Sequence, residues 1–348
     1  MNIALDAMGG DNGVGPNLGG ARLALEAFPQ ISKLFLVGRE AELAKGLQKL
    51  GFSSPRCEIV HAAEVVEMKE SISAAVRRKK DSSINVATEL MKKGGVQAVV
   101  SAGHTGAAVA ASTLKLRTIP GMDRAGILSP FPSEFGVCYV IDVGANVDSR
   151  PEHLVQHALA GWTYITRVHG KNNPAVGLMS NGEEDSKGNE VTKEVFARLQ
   201  ELKAQGLNFI GNIEGRDIMT TPVDLAVCDG FVGNVLLKGC EGTARAMSRL
   251  IKSELMKSPV RKFGAWLVRG AFKAAADRLS YESYGGSPLL GVNGVTIISH
   301  GSSNAIAIKN AIRVAAEVIA HEVNPHIEET LARFLGTNVT APGVMSAH

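Results

Sequence analysis

A short apolar run, a glycine-rich loop and then a helix-forming stretch recur along this chain, and that unit restricts the fold more than any other feature. The first copy opens the sequence. Asn2 to Leu5 can form a short buried strand, Asp6 ends it, and Gly9, Gly10, Gly13 and Gly15 free the backbone before helical spacing begins. The same alternation returns at Leu34 to Val37 followed by a helix from Glu40 to Leu50 with Gly51 as its cap, then at Cys57 to Val60 and Val96 to Val100. It continues through Val140 to Val143, Val176 to Met179 and Val292 to Ile298. Short strands separated by helices predict a mainly parallel sheet with helices on both faces, a Rossmann-like three-layer α/β/α arrangement. In open sheets of this kind ligands collect where strands run out into loops. All the glycine-rich loops are expected there, along one edge.

Each loop leaves two readings open. Free N–H groups at a helix start can hold an anion such as phosphate, or the glycines serve only the dihedrals of a tight turn. Asp6 and Asp11 flank the first glycines, where a plain anion nest prefers no negative charge, so they are expected to orient donors. The spacing is not GxGxxG, which disfavours a dinucleotide site. His104 and His300 lie in glycine-rich loops. His153 and His157 stand four apart after Pro151 without the glutamate of a zincin, and are expected to be surface or packed side chains rather than a metal site.

The densest charge is at Ser180 to Glu190, where Glu183, Glu184, Asp185 and Lys187 fall between Gly182 and Gly188. This is either a solvated loop or magnesium site, or a set of acids holding Lys187 as a cation for phosphate. Arg77 to Lys80 form a basic run, expected to be a solvated helix end. From Arg249 to Arg278 basic residues face only Glu254 and Asp277. Val260, Phe263, Leu267, Ala271 and Phe272 keep helical spacing there, with Lys262, Trp266, Arg269 and Lys273 toward another side. A helical hairpin is expected, set off by Pro259; it packs on the core or a second subunit, or meets anionic lipid or an acidic protein.

Composition narrows the function classes. A net charge of +3 and 5% aromatic residues give no footprint for nucleic acid. Four scattered cysteines without CxxC fit reduced thiols. The N-terminus shows no signal-peptide pattern, and the uncharged run Gly94 to Leu114 is too rich in small and polar residues to span a membrane, so it is expected to be strand, turn and helix. The chain is long enough to bury a large core; residues 1–335 are expected as one catalytic domain, with 246–283 a basic helical insertion and 336–348 a tail without fixed structure.

Seven stretches in order, DAMGGD (Asp6 to Asp11), SAGHTGA (Ser101 to Ala107), DVGAN (Asp142 to Asn146), NGEEDSKGNE (Asn181 to Glu190), CDGFVGN (Cys228 to Asn234), YGGSPLLGVNG (Tyr284 to Gly294) and SHGSSN (Ser299 to Asn304), resemble the PlsX family of bacterial phosphate acyltransferases. The resemblance implies a fold like isocitrate and isopropylmalate dehydrogenases. It implies transfer of a long fatty acyl group from acyl carrier protein to inorganic phosphate for phospholipid synthesis, with no cofactor and no metal. Phosphate itself is then the nucleophile, which agrees with the lack of GxSxG. Lys187 is implied as catalytic with Asn234 as partner. Asp6, Gly9, Gly10, Asp11, His104, Thr105, Gly106, Asn146, Asn181, Gly233, His300, Ser302 and Ser303 are expected around phosphate or pantetheine. Arg261, Lys262, Phe263, Trp266, Leu267, Arg269, Phe272 and Lys273 are expected to touch membrane or carrier protein. A homodimer, a cytoplasmic location with reversible contact to the inner face of the cell membrane, and a membrane glycerol-3-phosphate acyltransferase as recipient follow from the same resemblance. Its rivals are a phosphate acetyltransferase using coenzyme A, an isocitrate-type dehydrogenase and a membrane scaffold without activity.

Overall fold

The computed structural model describes residues 1–67, 70, 72–279 and 284–336. The expected tail after Gly336 and the end of the insertion at 280–283 lie outside them. The first part of the chain gives β1 (Asn2–Asp6), α1 (Val14–Ala27), β2 (Lys33–Gly38), α2 (Glu40–Leu50), β3 (Cys57–His61), α3 (Ile72–Arg78), α4 (Ser83–Lys92), β4 (Ala98–Ser101) and α5 (Thr105–Leu116). A hairpin of β5 (Gly126–Ser133) and β6 (Gly136–Ile141) follows. Then come α6 (Pro151–His169), β7 (Val176–Met179), α7 (Glu190–Ala204), β8 (Phe209–Ile213), α8 (Asp217–Thr220) and β9 (Leu225–Val227). The chain continues with α9 (Gly230–Leu255), α10 (Pro259–Leu267), α11 (Arg269–Leu279), β10 (Ser287–Leu290), β11 (Val295–Ile298), α12 (Ala305–Ala320) and α13 (Val323–Leu335).

Among the described residues the strands form one sheet in the order β3-β2-β1-β4-β11-β10-β5-β6-β9-β7-β8. Its two faces follow from strand alternation. Ile3 and Leu5 point into one core with Leu18 of α1 and Ile308 of α12, whereas Ala4 between them faces Ala87 of α4 and Ala107 of α5. Burial on both faces explains why these strands read as continuous apolar runs. The expected three-layer α/β/α architecture is present.

One expectation about the sheet fails. Pairing is parallel except at β11–β10, β10–β5 and β5–β6, and these antiparallel steps reverse the strand direction in the middle of the sheet. The loops after β1, β4 and β11 therefore leave one edge, while those after β6, β9 and β7 leave the opposite edge. The motifs do not share a single edge. They meet along β5 instead, whose length joins the two. Pro130 and Pro132 in β5 fall past the pairing with β10, where a missing N–H costs no ladder bond on that side.

The helical insertion is continuous with the site. α9 runs unbroken from Gly230, so Asn234 and the start of the basic segment ride on one helix. Pro259 does open a new helix, α10, with Ser258 as its N-cap. The apolar stripe expected as one helix is divided at Val268 between α10 and α11. No residue of α10 is buried.

Candidate active site

On the first edge three loops lock into one another. Asp6 is buried and accepts the Ser101 hydroxyl at 2.7 Å; burial raises its carboxyl above the ordinary aspartate value. Asn17 donates to the carbonyls of Ala7 and Gly9, which fixes the turn. Gly9 must be glycine because a Cβ there would lie 2.6 Å from the backbone nitrogen of Gly103. Asp11 N–H donates to Gly301 O at 2.8 Å, and Gly10 packs on the same carbonyl. Ser299 and Ser303 share a hydrogen bond of 2.8 Å, and Ser302 binds His300 Nδ1 at 2.7 Å. His104 caps α5 by accepting Gly106 N–H on Nδ1. Asp6–Ser101 and Asp11–Gly301 join the loops, and the other polar groups named fix each loop internally.

On the second edge the organiser is Asp142, which is fully buried at the end of β6. Its carboxylate accepts N–H groups from Ile127, Gly144, Ala145 and Asn146 together with the Asn146 amide. The Asn146 amide also reaches Ala125 O. α9 starts directly against this loop: a Cβ on Gly233 would lie 1.9 Å from Asp142 O. That contact sets Asn234 beside Gly144. The neighbouring loop after β7 is closed by Gly188 N–H to Asn181 Oδ1 and tied by Asn212 to Glu184 O. Lys187 there is exposed, its stem against Gly182, while Glu183 pairs with Arg216.

Between the edges lies a cleft of about 470 Å³. One wall is β5, with Ile127, Ser129 and Phe131; the facing wall is α9, with Asn234, Leu237, Lys238, Cys240, Glu241 and Ala244. The helical stretch from Asn234 to Ala244 spans about 15 Å. Thr105 and Gly106 at the start of α5 line it with His300, Ile72 and Met219. The cleft therefore gathers Thr105, Gly106, Asn234 and His300 from the expected set. Asp6, Gly9, Gly10, Asp11, His104, Ser302 and Ser303 stand in the supporting loops. Asn146 and Gly233 support Asn234, and Asn181 and Lys187 sit on the loop after β7, outside the cleft lining.

Lys238, Glu241 and Asp142 have no role among the sequence-based expectations. The first two are legible as Asn234, Lys238 and Glu241 at helical spacing once α9 is started at Gly230. Cys240 is the cleft's thiol, and burial, with the nearby Glu241, pushes its pKa up, the opposite of the shift that activates a cysteine nucleophile. The histidines of α6 have separate partners: His153 Nδ1 accepts Arg150 N–H, and His157 Nε2 bonds Arg124 O.

Two solved structures share this fold. A phosphotransacetylase from Streptococcus pyogenes covers 93% of this chain and 94% of its own, at 18% identity and a TM-score of 0.59. A protein assigned as 4-hydroxythreonine-4-phosphate dehydrogenase from Salmonella typhimurium covers 91% and 99%, at 14% identity and a TM-score of 0.50. A phosphate acyltransferase of Akkermansia muciniphila is 54% identical over 340 residues, 97% of either chain. Residues 1–326 match the family described as fatty acid synthesis protein, and the chain belongs to that family, the PlsX-type phosphate acyltransferases.

Proposed function

We propose that this acyltransferase takes a long fatty acyl group from the pantetheine thioester of acyl carrier protein and passes it to inorganic phosphate. The supporting observation is the cleft, whose apolar lining of Ile127, Phe131, Leu237 and Ile298 is shared with the amide of Asn234. Apolar lining suits an alkyl chain, and a few placed polar groups suit its reacting end. A phosphate oxygen attacks the thioester carbon, the carbonyl becomes an oxyanion, and the C–S bond then breaks. Acyl phosphate and a thiolate result, and the thiolate takes up a proton. Asn234 donates to the oxyanion, and the exposed Lys187, on the loop after β7, is assigned to offset negative charge. The upward pKa shift of Cys240 agrees with direct attack by phosphate, without an acyl-enzyme.

α10 and α11 carry the contacts with larger partners. Val260, Phe263, Trp266, Leu267 and Phe272 are exposed, and Phe263 stacks on Trp266 with Arg269 over the indole. Exposed apolar side chains interspersed with Arg261, Lys262, Arg269 and Lys273 suit an anionic membrane surface or the acidic carrier. No helix among the described residues is long and apolar enough to cross a membrane. Peripheral contact on the inner face, a homodimer, and delivery of acyl phosphate to a membrane glycerol-3-phosphate acyltransferase belong to this proposal.

Thiol release from palmitoyl acyl carrier protein, with and without phosphate, tests the reaction against acetyl-CoA as alternative donor. The shared fold with a phosphotransacetylase makes acetyl-CoA the rival. Phosphate-dependent release from the palmitoyl carrier supports the proposal. Preference for acetyl-CoA overturns it.

A further inference from the structure

Lys238 lies four residues after Asn234 on α9, and both line the cleft. On a helix that spacing puts the two Cβ atoms about 5–6 Å apart on one face. Among the described residues lining the cleft, Lys238 is the sole lysine or arginine. Its Nζ is 3.2 Å from Glu241 Oε2 and 3.5 Å from His300 Nε2. Glu241 also receives Arg245 at 3.7 Å, so it anchors a small charged cluster at the cleft wall.

His300 shows what the cluster is arranged to meet. Its Nδ1 accepts the Ser302 backbone N–H, so the neutral ring carries its hydrogen on Nε2, the nitrogen facing Lys238. Burial, with the adjacent Lys238, lowers the His300 pKa and favours that neutral ring. Both nitrogens reach one acceptor, Glu241 Oε2, Lys238 Nζ at 3.2 Å and His300 Nε2 at 3.9 Å. An anion that displaces this carboxylate takes over both donors.

An enzyme that uses inorganic phosphate as nucleophile must bring a charged oxyanion beside an apolar wall, which is costly unless cations and donors replace its water. Lys187 is outside the cleft lining, and Lys238 is within it, one turn from the Asn234 amide. We infer that Lys238, oriented by Glu241 and assisted by His300 Nε2–H, anchors inorganic phosphate for attack on the acyl carbon. The inference rests on the acyl-transfer reading above. Lys238 is half-exposed and its pair with Glu241 is correspondingly weak, so phosphate can displace the carboxylate.

The test varies phosphate and palmitoyl acyl carrier protein independently in the thiol-release assay, with Lys238→Met and Lys238→Arg compared with the unaltered chain. Lys238→Met should raise the KM for phosphate at least tenfold and change the KM for the carrier less than twofold, and Lys238→Arg should recover most of the loss. Equilibrium dialysis with radiolabelled phosphate, without acyl donor, should show the same weakening; thermal unfolding checks that each variant is folded. An unchanged phosphate KM overturns the inference. So does a rise confined to the carrier, which would assign the lysine to the carrier's pantetheine phosphate. Absence of phosphate-dependent release from the unaltered chain overturns the acyl-transfer reading itself, and the dialysis result then judges Lys238 alone.

Discussion

The two edges of the sheet carry similar-looking sequences and use them differently. After β1, β4 and β11 the loops spend much of their polarity on one another, through Asp6 with Ser101 and Asp11 with Gly301, or on themselves, as in Ser299 with Ser303. After β6, a single carboxylate, Asp142, gathers the loop, and the helix packed on it presents Asn234 to the cleft. The first edge is a clasp and the second is a mount. A glycine-rich strand–loop–helix unit thus does not by itself reveal a ligand site, since both loops have their donors satisfied internally; what differs is whether the following helix presents a side chain to the cleft.

The contrast breaks most sharply at Asp142. Asp142→Ala leaves buried N–H groups without an acceptor and should cost about 4 kcal/mol, read by denaturant unfolding. It should also lower turnover of the folded fraction, because Asn234 loses its mount. Asn234→Ala should leave stability nearly unchanged and lower turnover a hundredfold or more, about 3 kcal/mol of transition-state stabilisation. A loss below tenfold removes Asn234 from the oxyanion role. Gly9→Ala should do the reverse. Its Cβ meets the Gly103 backbone at 2.6 Å, so unfolding stability should fall by about 2 kcal/mol while the surviving enzyme keeps its turnover.

The smallest effect is a difference in pH response. His157 is buried behind the second edge, and desolvation holds its pKa below 6.5. The folded state therefore binds fewer protons than the unfolded chain; its stability contribution is complete above pH 6.5 and is lost as pH falls below it. His157→Gln should flatten that limb by at most about 1.4 kcal/mol per pH unit. Asp6 acts in the opposite sense. Its carboxyl titrates above 3.8, so its contribution is fullest below pH 3.8 and declines as pH rises through its folded value. Asp6→Asn should remove that decline, and melting curves across pH check both.

Local units are largely legible in the amino-acid sequence. Val176–Met179 and Glu40–Leu50 match the observed elements, because buried strands and capped amphipathic helices leave strong periodic signals. The β5–β6 hairpin is not, since Pro130 and Pro132 argue against a strand unless its open side is known. Without that hairpin the reversal of strand direction is hidden, and two edges merge into one. Site chemistry divides in the same way. Asn234, Thr105, Gly106 and His300 are reachable through motif resemblance, while Lys238 and Glu241 need the true start of α9. Asp142 offers only a lone acid before a glycine-containing loop, a pattern Asp6 shares on the other edge. Nothing in either stretch of sequence separates mount from clasp.

The most direct measurement is a crystal structure with a non-hydrolysable palmitoyl phosphonate, a stable stand-in for the acyl phosphate product. The alkyl chain should lie between β5 and α9, in contact with Ile127 and Leu237, and the phosphonate beside Asn234. A phosphonate held instead by the Gly9–Gly10 loop, with the cleft empty, would contradict it and make the first edge the active site.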